Sequence, residues 1–299
     1  MPLPHWLHQL ETCSSTNRWA MEHLHFLNHG DAAFTRRQTD GRGQYGRSWQ
    51  SPKGVMTATF VLQNFPTARV HVLSLAAGLA VIDALESLMP ELQGIPKLKW
   101  TNDVLIRGRK ISGILCETRS LNSSPLNSDP SGSTPALKST TILPKLPVQN
   151  IPGLTAVGLS TDGLSSELTT AIVGIGLNRS VDFDRLDGVA AKIGNPISLH
   201  QVVKKVPSEL QLLSSLRDQL MQSPIMQSVM QLNCDLKSST WVEQVRSRDA
   251  LLGKKIQFET AEGVIAGISQ GINDRGELLI QDDTGTLQAF QTGQILSFI

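Results

Sequence analysis

The chain has 299 residues, of which 40% are hydrophobic and 18% charged, enough material for one large domain or a large and a small one. Its 27 Lys and Arg against 26 Asp and Glu leave a formal charge of +1, so no bulk field favours nucleic acid or a membrane surface. Cys13, Cys116 and Cys234 are widely spaced and form no CxxC or zinc pattern. They read as reduced thiols.

The start, MPLPHWLHQLE, carries neither a basic leader nor a long apolar run, and no stretch reads as the ~18 apolar residues of a membrane span. A cytoplasmic protein is expected. SSTNRWAMEHLHFLNHG begins with potential caps and ends in Gly30, predicting a helix over about 16–29. AAFTRRQ reads as a short strand, VMTATFVLQ as a second, and VHVLSLAAGLAVIDALESL sets Val72, Leu75, Leu79, Ile82 and Leu85 at helical spacing. LKW and VLIRGRKISGILCE follow, with a hairpin turn at Arg107-Gly108-Arg109, and TAIVGIGLN is a later strand.

Between these last strands, residues 120–150 hold seven Ser and five Pro but only Asp129, Lys138 and Lys145 as charges. Such a stretch cannot bury a core, and an insertion over about 120–167 is expected. SLHQVVKKV and PSELQLLSSLRDQLMQ predict helices, the second with Pro207 at its first position. From Leu252 the tail alternates β-rich runs with turns at Glu262-Gly263, Asp274-Arg275-Gly276 and Asp283-Thr284-Gly285, which fits a small five-stranded barrel.

GRGQYGRSW, Gly41 to Trp49, satisfies the G-x-G-x-x-G pattern of dinucleotide-binding proteins. That use requires a helix to start inside the loop, and Pro52 and Gly54 forbid one. What is left is a glycine loop between strands carrying Arg42 and Arg47, suited to enclosing an oxyanion, or a plain surface turn. Lys99, Asn102, Asp103 and Lys110 read either as a site or as solvated surface. The glycines of VGIGLN mark a bulge or the close approach of a ligand or backbone. The seven histidines show no catalytic or metal spacing.

In this order SSTN, Q-x-x-GRGxxGRxW, KWxNDV followed by K-x-x-GIL-x-E, and VGIGLN resemble the signatures of biotin protein ligases. The resemblance implies an α+β fold: a mixed, mainly antiparallel sheet with flanking helices, akin to class II aminoacyl-tRNA synthetases, plus a C-terminal SH3-like β-barrel. It implies a catalytic domain over 1–249 and the barrel over 250–299, in a short form without a DNA-binding domain and without a repressor role. Biotin and ATP are the implied substrates, with Mg2+. The implied partner is a biotin carboxyl carrier protein of acetyl-CoA carboxylase, with no nucleic acid or membrane partner, and the chain is expected as monomer or homodimer.

Residue by residue, Ser15, Thr16, Asn17 and Gln38 match biotin-contacting positions, and Arg42, Gly43 and Gln44 the biotin-binding loop. Arg47, Trp49, Asn102 and Asn178 match ATP-binding positions, and Gly113 and Gly176 line the pocket. Lys110 matches the lysine that meets the biotin carboxylate and the α-phosphate, so Lys110, Arg47, Arg42 and Asp103 form the implied catalytic set, with Asp103 as the possible metal carboxylate. Departures from the pattern are Gln44 in place of a second arginine, Thr101 in place of proline, and no arginine after Gly293. A lipoate ligase would need an RRxSGGG-like run that is missing, and a non-catalytic biotin-binding module would not need the ATP positions together with Lys110.

Overall fold

The computed structural model describes residues 2–120, 167–185, 195–231 and 240–299. Among the described residues, seven strands form one sheet in the order β1-β2-β3-β7-β6-β5-β4. They are β1 (Leu7–Leu10), β2 (Ala32–Thr35), β3 (Val55–Pro66), β4 (Pro96–Lys99), β5 (Asp103–Ile106), β6 (Arg109–Ser120) and β7 (Leu168–Asn178). Only the β1–β2 pairing is parallel, so the sheet is mixed and mainly antiparallel, as the family resemblance implies. The β5–β6 connection is the expected hairpin, with Arg107 at φ 52° and Gly108 at φ 75°, the left-handed pair that a tight turn between twisted strands requires.

The two-residue period of β7 gives the sheet two different faces. Ala171, Val173, Ile175 and Leu177 are buried in the main core, against helix α2 (Val70–Leu88). Thr170, Ile172, Gly174, Gly176 and Asn178 fall on the other face, with Ile172 in a small cluster with Ala20, Leu27 and Val61. β3 follows the same rule, with Met56, Ala58, Phe60 and Leu62 in the core and Thr57 and Thr59 opposite. Helix α1 (Thr16–Glu22) lies on that opposite face.

The apolar run around α2 is long enough to cross a membrane by length and composition: the helical stretch spans 22 residues, Thr67–Leu88, and an 18-residue window within it has a mean hydropathy of 1.6. This corrects the expectation that no stretch qualifies. Its position explains its composition: α2 is covered by the sheet and by α3 (Glu209–Gln222), α4 (Pro224–Met230) and α5 (Thr240–Arg248), so little of it meets solvent.

Three local expectations are also corrected. α1 ends at Glu22, short of 29: His23 leaves helical geometry at φ −111° and ψ 13°, its N–H is shared between the Trp19 and Ala20 carbonyls, and its ring Nδ1 lies 2.7 Å from the Trp19 carbonyl. SLHQVVKKV holds only a single 3-10 turn, Leu199–Gln201, closed by a capping box of Ser198 and Gln201. Pro207 precedes the next helix instead of opening it, because Ser208 is the N-cap and its hydroxyl accepts from Gln211 N–H. The Ser/Pro-rich insertion and Cys234 lie outside the described residues. Cys13 and Cys116 are free thiols, and burial pushes their pKa values up to about 11 and about 12, which leaves them protonated and unreactive at neutral pH.

A second sheet, order β11-β10-β9-β8-β12 and antiparallel throughout, is built from β8 (Lys255–Thr260), β9 (Gly263–Ile272), β10 (Leu278–Gln281), β11 (Leu287–Phe290) and β12 (Gln294–Phe298). Three of its four connections fall at the turns read from the sequence, and the fourth, between β11 and β12, spans residues 291–293. The two sheets meet at Trp100, whose indole N–H donates to the Gly276 carbonyl at 3.1 Å and whose ring packs edge-on against Phe258. Trp241 on α5 is fully buried between this turn and α2. Trp241→Ala should therefore lower stability by about 3–5 kcal/mol in chemical denaturation; a loss below about 1 kcal/mol would show that the turn and helix do not depend on it.

Candidate active site

Glycine is a poor strand residue, yet β7 has Gly174 and Gly176 on its non-core face. The β6–β7 register runs without interruption, so they mark no bulge. Nor does another backbone approach: a Cβ on Gly174 would collide with the Asn17 amide, and one on Gly176 with the Trp49 indole. Two side chains of this protein account for both glycines.

Above this floor lies a cavity of about 270 Å³. It is lined by Ser15, Thr16, Asn17, Gln38, Arg42, Gly43, Gln44, Arg47, Trp49, Asn102, Lys110, Gly113, Gly176 and Asn178. Asp103 stands outside that lining and touches it through Lys110, whose ammonium it meets at 2.5 Å. All the residues singled out in the sequence are thus brought to one place.

One end of the cavity is polar and neutral. Gln38 Oε1 accepts from the Thr16 backbone N–H at 2.7 Å and lies 3.2 Å from its hydroxyl, while the Thr59 hydroxyl lies 2.6 Å from Asn17 Oδ1 and 2.8 Å from Thr16 Oγ1. Asn17 Nδ2 donates to the Leu115 carbonyl and to Glu117. The Asn17 amide is therefore fully engaged with protein, and it organises the pocket wall. Ser15 occupies the N-cap position of α1 without forming a side-chain cap, so its buried hydroxyl stays available to the cavity.

The other end is cationic. Lys110, Lys99 and Arg47 gather there with Asp103 as the opposing charge. Burial pulls the Lys99 pKa down, Asp103 opposes that, and Lys110 and Arg47 add to it. Three cations against one carboxylate make a place where added negative charge is favourable. Asn102 and Asn178 brace this end by donating to the carbonyls of Ile114 and Lys110, at 2.8 and 3.1 Å.

The glycine loop covers the space between the two ends. It contains no α-helix, only a 3-10 turn at Gln44–Gly46, which removes the dinucleotide reading. Gly43 N–H to Arg47 O and Trp49 N–H to Gly41 O close it into a small hairpin. Trp49 lies over Gly113 and Gly176 with the Lys110 ammonium 5.5 Å from its ring. Two donors in this region, Trp49 Nε1 and Arg42 Nε, are buried without a protein acceptor. Such donors suit a bound molecule rich in oxygen.

Several residues of the site have roles that the sequence did not assign. Glu117 is the main one: its carboxylate receives Arg42 at 2.8 Å and Asn17 at 2.8 Å, tying the loop to α1. Its signal was a charge within the β-rich run GILCE, on the same strand face as Gly113. Thr59 was legible as a polar residue at alternate spacing in VMTATFVLQ. Lys99 holds its ammonium 5.6 Å from the centre of the Phe298 ring.

The class of the chain, biotin and lipoate ligase-like proteins, follows from the family models it matches. Residues 10–127 match the model of the Biotin/lipoate A/B protein ligase family, and residues 251–296 match the Biotin protein ligase C terminal domain. The chain belongs to the biotin protein ligase family. It is 41% identical over 83 residues to a biotin--[acetyl-CoA-carboxylase] ligase of Mycobacterium tuberculosis, covering 27% of this chain and 31% of the relative. To the bifunctional ligase/repressor BirA of Escherichia coli it is 33% identical over 111 residues, covering 36% and 33%. The matched segments thus span about a third of these relatives' own lengths. The structure is similar to biotin protein ligase from Aquifex aeolicus in complex with biotin and ATP, with a TM-score of 0.66 and 24% identity over 98% of both chains. That likeness concerns the fold.

Gly176→Ala tests the floor, because the added methyl occupies the indole position and must expel Trp49. The emission difference between this variant and Gly176→Ala combined with Trp49→Phe should shift to longer wavelength than the same difference in the parent. An unchanged difference would mean that Trp49 does not rest on this glycine.

Proposed function

We propose that this chain is a ligase that activates biotin as biotinyl-5′-adenylate and transfers it to a lysine of a biotin carboxyl carrier protein, the carrier of acetyl-CoA carboxylase being the acceptor that the relatives' names suggest. The observation that supports this most directly is the two-ended cavity. Its neutral polar end, with Ser15, Thr16 and Gln38, suits an uncharged ureido head, and its cationic end suits a carboxylate meeting phosphate. An apolar dithiolane head would leave the buried polar groups unpaired, which favours biotin over lipoate.

A carboxylate does not acylate an amine in water, so it must first acquire a leaving group. The carboxylate oxygen attacks the α-phosphorus of ATP, the bond from that phosphorus to the bridging oxygen breaks, and pyrophosphate leaves. Lys110 and Arg47, helped by Arg42 on the same loop as Arg47, offset the repulsion between the two anions and stabilise charge on the equatorial oxygens. Magnesium bound to the phosphates would further neutralise that charge. One carboxylate, Asp103, is at hand, and a single carboxylate plus substrate oxygens is a set that magnesium accepts. In the second step the neutral amine of the carrier lysine attacks the acyl carbonyl, AMP leaves, and the amine gives up its proton as the amide forms. Trp49, Asn102 and Asn178 line the nucleotide side, and the loop excludes water from the mixed anhydride.

We further propose that residues 1–249 form the catalytic unit and 250–299 a supporting barrel. Lys110→Ala should reduce adenylate formation from biotin and α-labelled ATP by at least about 100-fold. Normal adenylate yield from that variant would overturn Lys110's assignment. Gln44→Arg, which restores a loop cation, should slow adenylate release in a chase; faster or equal release would show that this position does not retain the intermediate.

A further inference from the structure

The tip of the glycine loop has little to rest on within its own domain. On one side it faces the cavity already described, and on the other a second space of about 550 Å³, bounded by His71, Ser74, Cys116, Gln291 and Thr292. Gly46 has nothing within 4 Å of where a Cβ would stand. The stem of the loop is fixed by Arg42 on Glu117 and by Trp49 on Gly176. At the tip, Gln44 Oε1 accepts from the Thr101 hydroxyl at a long 3.5 Å, and one further side chain makes two shorter bonds.

That side chain is Tyr45. Its hydroxyl donates to the Gly293 carbonyl at 2.9 Å and accepts from the Gly293 N–H at 3.1 Å, so both of its hydrogen-bonding roles engage one residue of the C-terminal domain. Gly293, at φ 146°, cannot be replaced freely, since a Cβ would strike the Phe258 ring. Tyr45 itself is held at φ 57°, a left-handed conformation unfavourable for an aromatic residue, so the contact must offset that strain. The Arg47 guanidinium lies 5.9 Å over the Tyr45 ring and its Nε donates to the Gln44 carbonyl at 3.2 Å. The cation aimed at the site is therefore mounted on the anchored residue.

We propose that Tyr45 is a positioning residue: through its clasp on Gly293 it uses the C-terminal domain to hold the glycine loop, and with it Arg47, closed over the site. Its effect on retention of an activated acyl group rests on the function proposed above, whereas its effect on loop closure does not.

Hydrogen–deuterium exchange on the full chain without ligand separates the two. Tyr45→Phe deletes only the hydroxyl, and Tyr45→Gly additionally relieves the left-handed strain, so misfolding cannot explain a shared result. Losing two hydrogen bonds should raise exchange over residues 41–49 about tenfold in both variants, with the seven-stranded sheet unchanged. Unchanged exchange in that segment overturns the proposal. In a chase of preformed biotinyl-adenylate, Tyr45→Phe should release it about tenfold faster, and it should also form it more slowly than the parent because Arg47 is no longer held. Faster exchange without faster release removes the retention role. If the parent forms no adenylate yet the exchange rises as expected, the clasp stands and the proposed function falls.

Discussion

Asn17 and Trp49 lie so close to β7 that only glycine fits beneath them, and the rest of the site is arranged around that contact. A strand that buries Val173, Ile175 and Leu177 on one face must present its alternate residues on the other. Placing Gly174 and Gly176 there sacrifices strand propensity in exchange for depth. The indole then forms the upper wall of the cavity, Asn17 links α1 to β6, and Glu117 on that same face collects both Asn17 and Arg42.

Charge is managed by the same compactness. Lys110 is placed beside Asp103 and under the Trp49 ring, and Lys99 is partly buried against Phe298, so cations that would repel one another are held by neighbours of fixed position. Pre-arranged donors of this kind need not reorganise when negative charge develops, which is why they favour phosphate chemistry more than mobile surface lysines would. Arg47 is the exception within the group: exposed, on a loop, and dependent on Tyr45 for its place.

The long, strongly patterned elements were legible because periodicity is a local property: α2, β3 and the barrel strands announce themselves by spacing and turns. The hairpin at Arg107–Gly108 was legible from turn chemistry. α1 was over-extended because the histidine and aromatic residues after Glu22 look helical in sequence, while in the fold they pack into a turn beside His8. β1 left no trace, since HWLHQLE alternates weakly and gains strand structure only by lying parallel to β2. Glycines at 174 and 176 signalled close approach but could not name the partner, because Asn17 and Trp49 come from distant parts of the chain. Glu117 was visible as the acid of K-x-x-GIL-x-E, but its bridge to Arg42 and Asn17, like the Tyr45–Gly293 clasp, was out of reach for the same reason: each joins segments that no local pattern connects.

The central claim is that a cavity neutral at one end and cationic at the other carries a carboxylate through an adenylate to a protein lysine. Its most direct test is the intact mass of a biotin carboxyl carrier domain after incubation with the chain, ATP and magnesium, with either biotin or lipoate supplied. The account predicts a gain of one biotinyl group on the carrier lysine, dependent on ATP and absent when lipoate replaces biotin. A carrier of unchanged mass with biotin, or one that gains a lipoyl group instead, would contradict it.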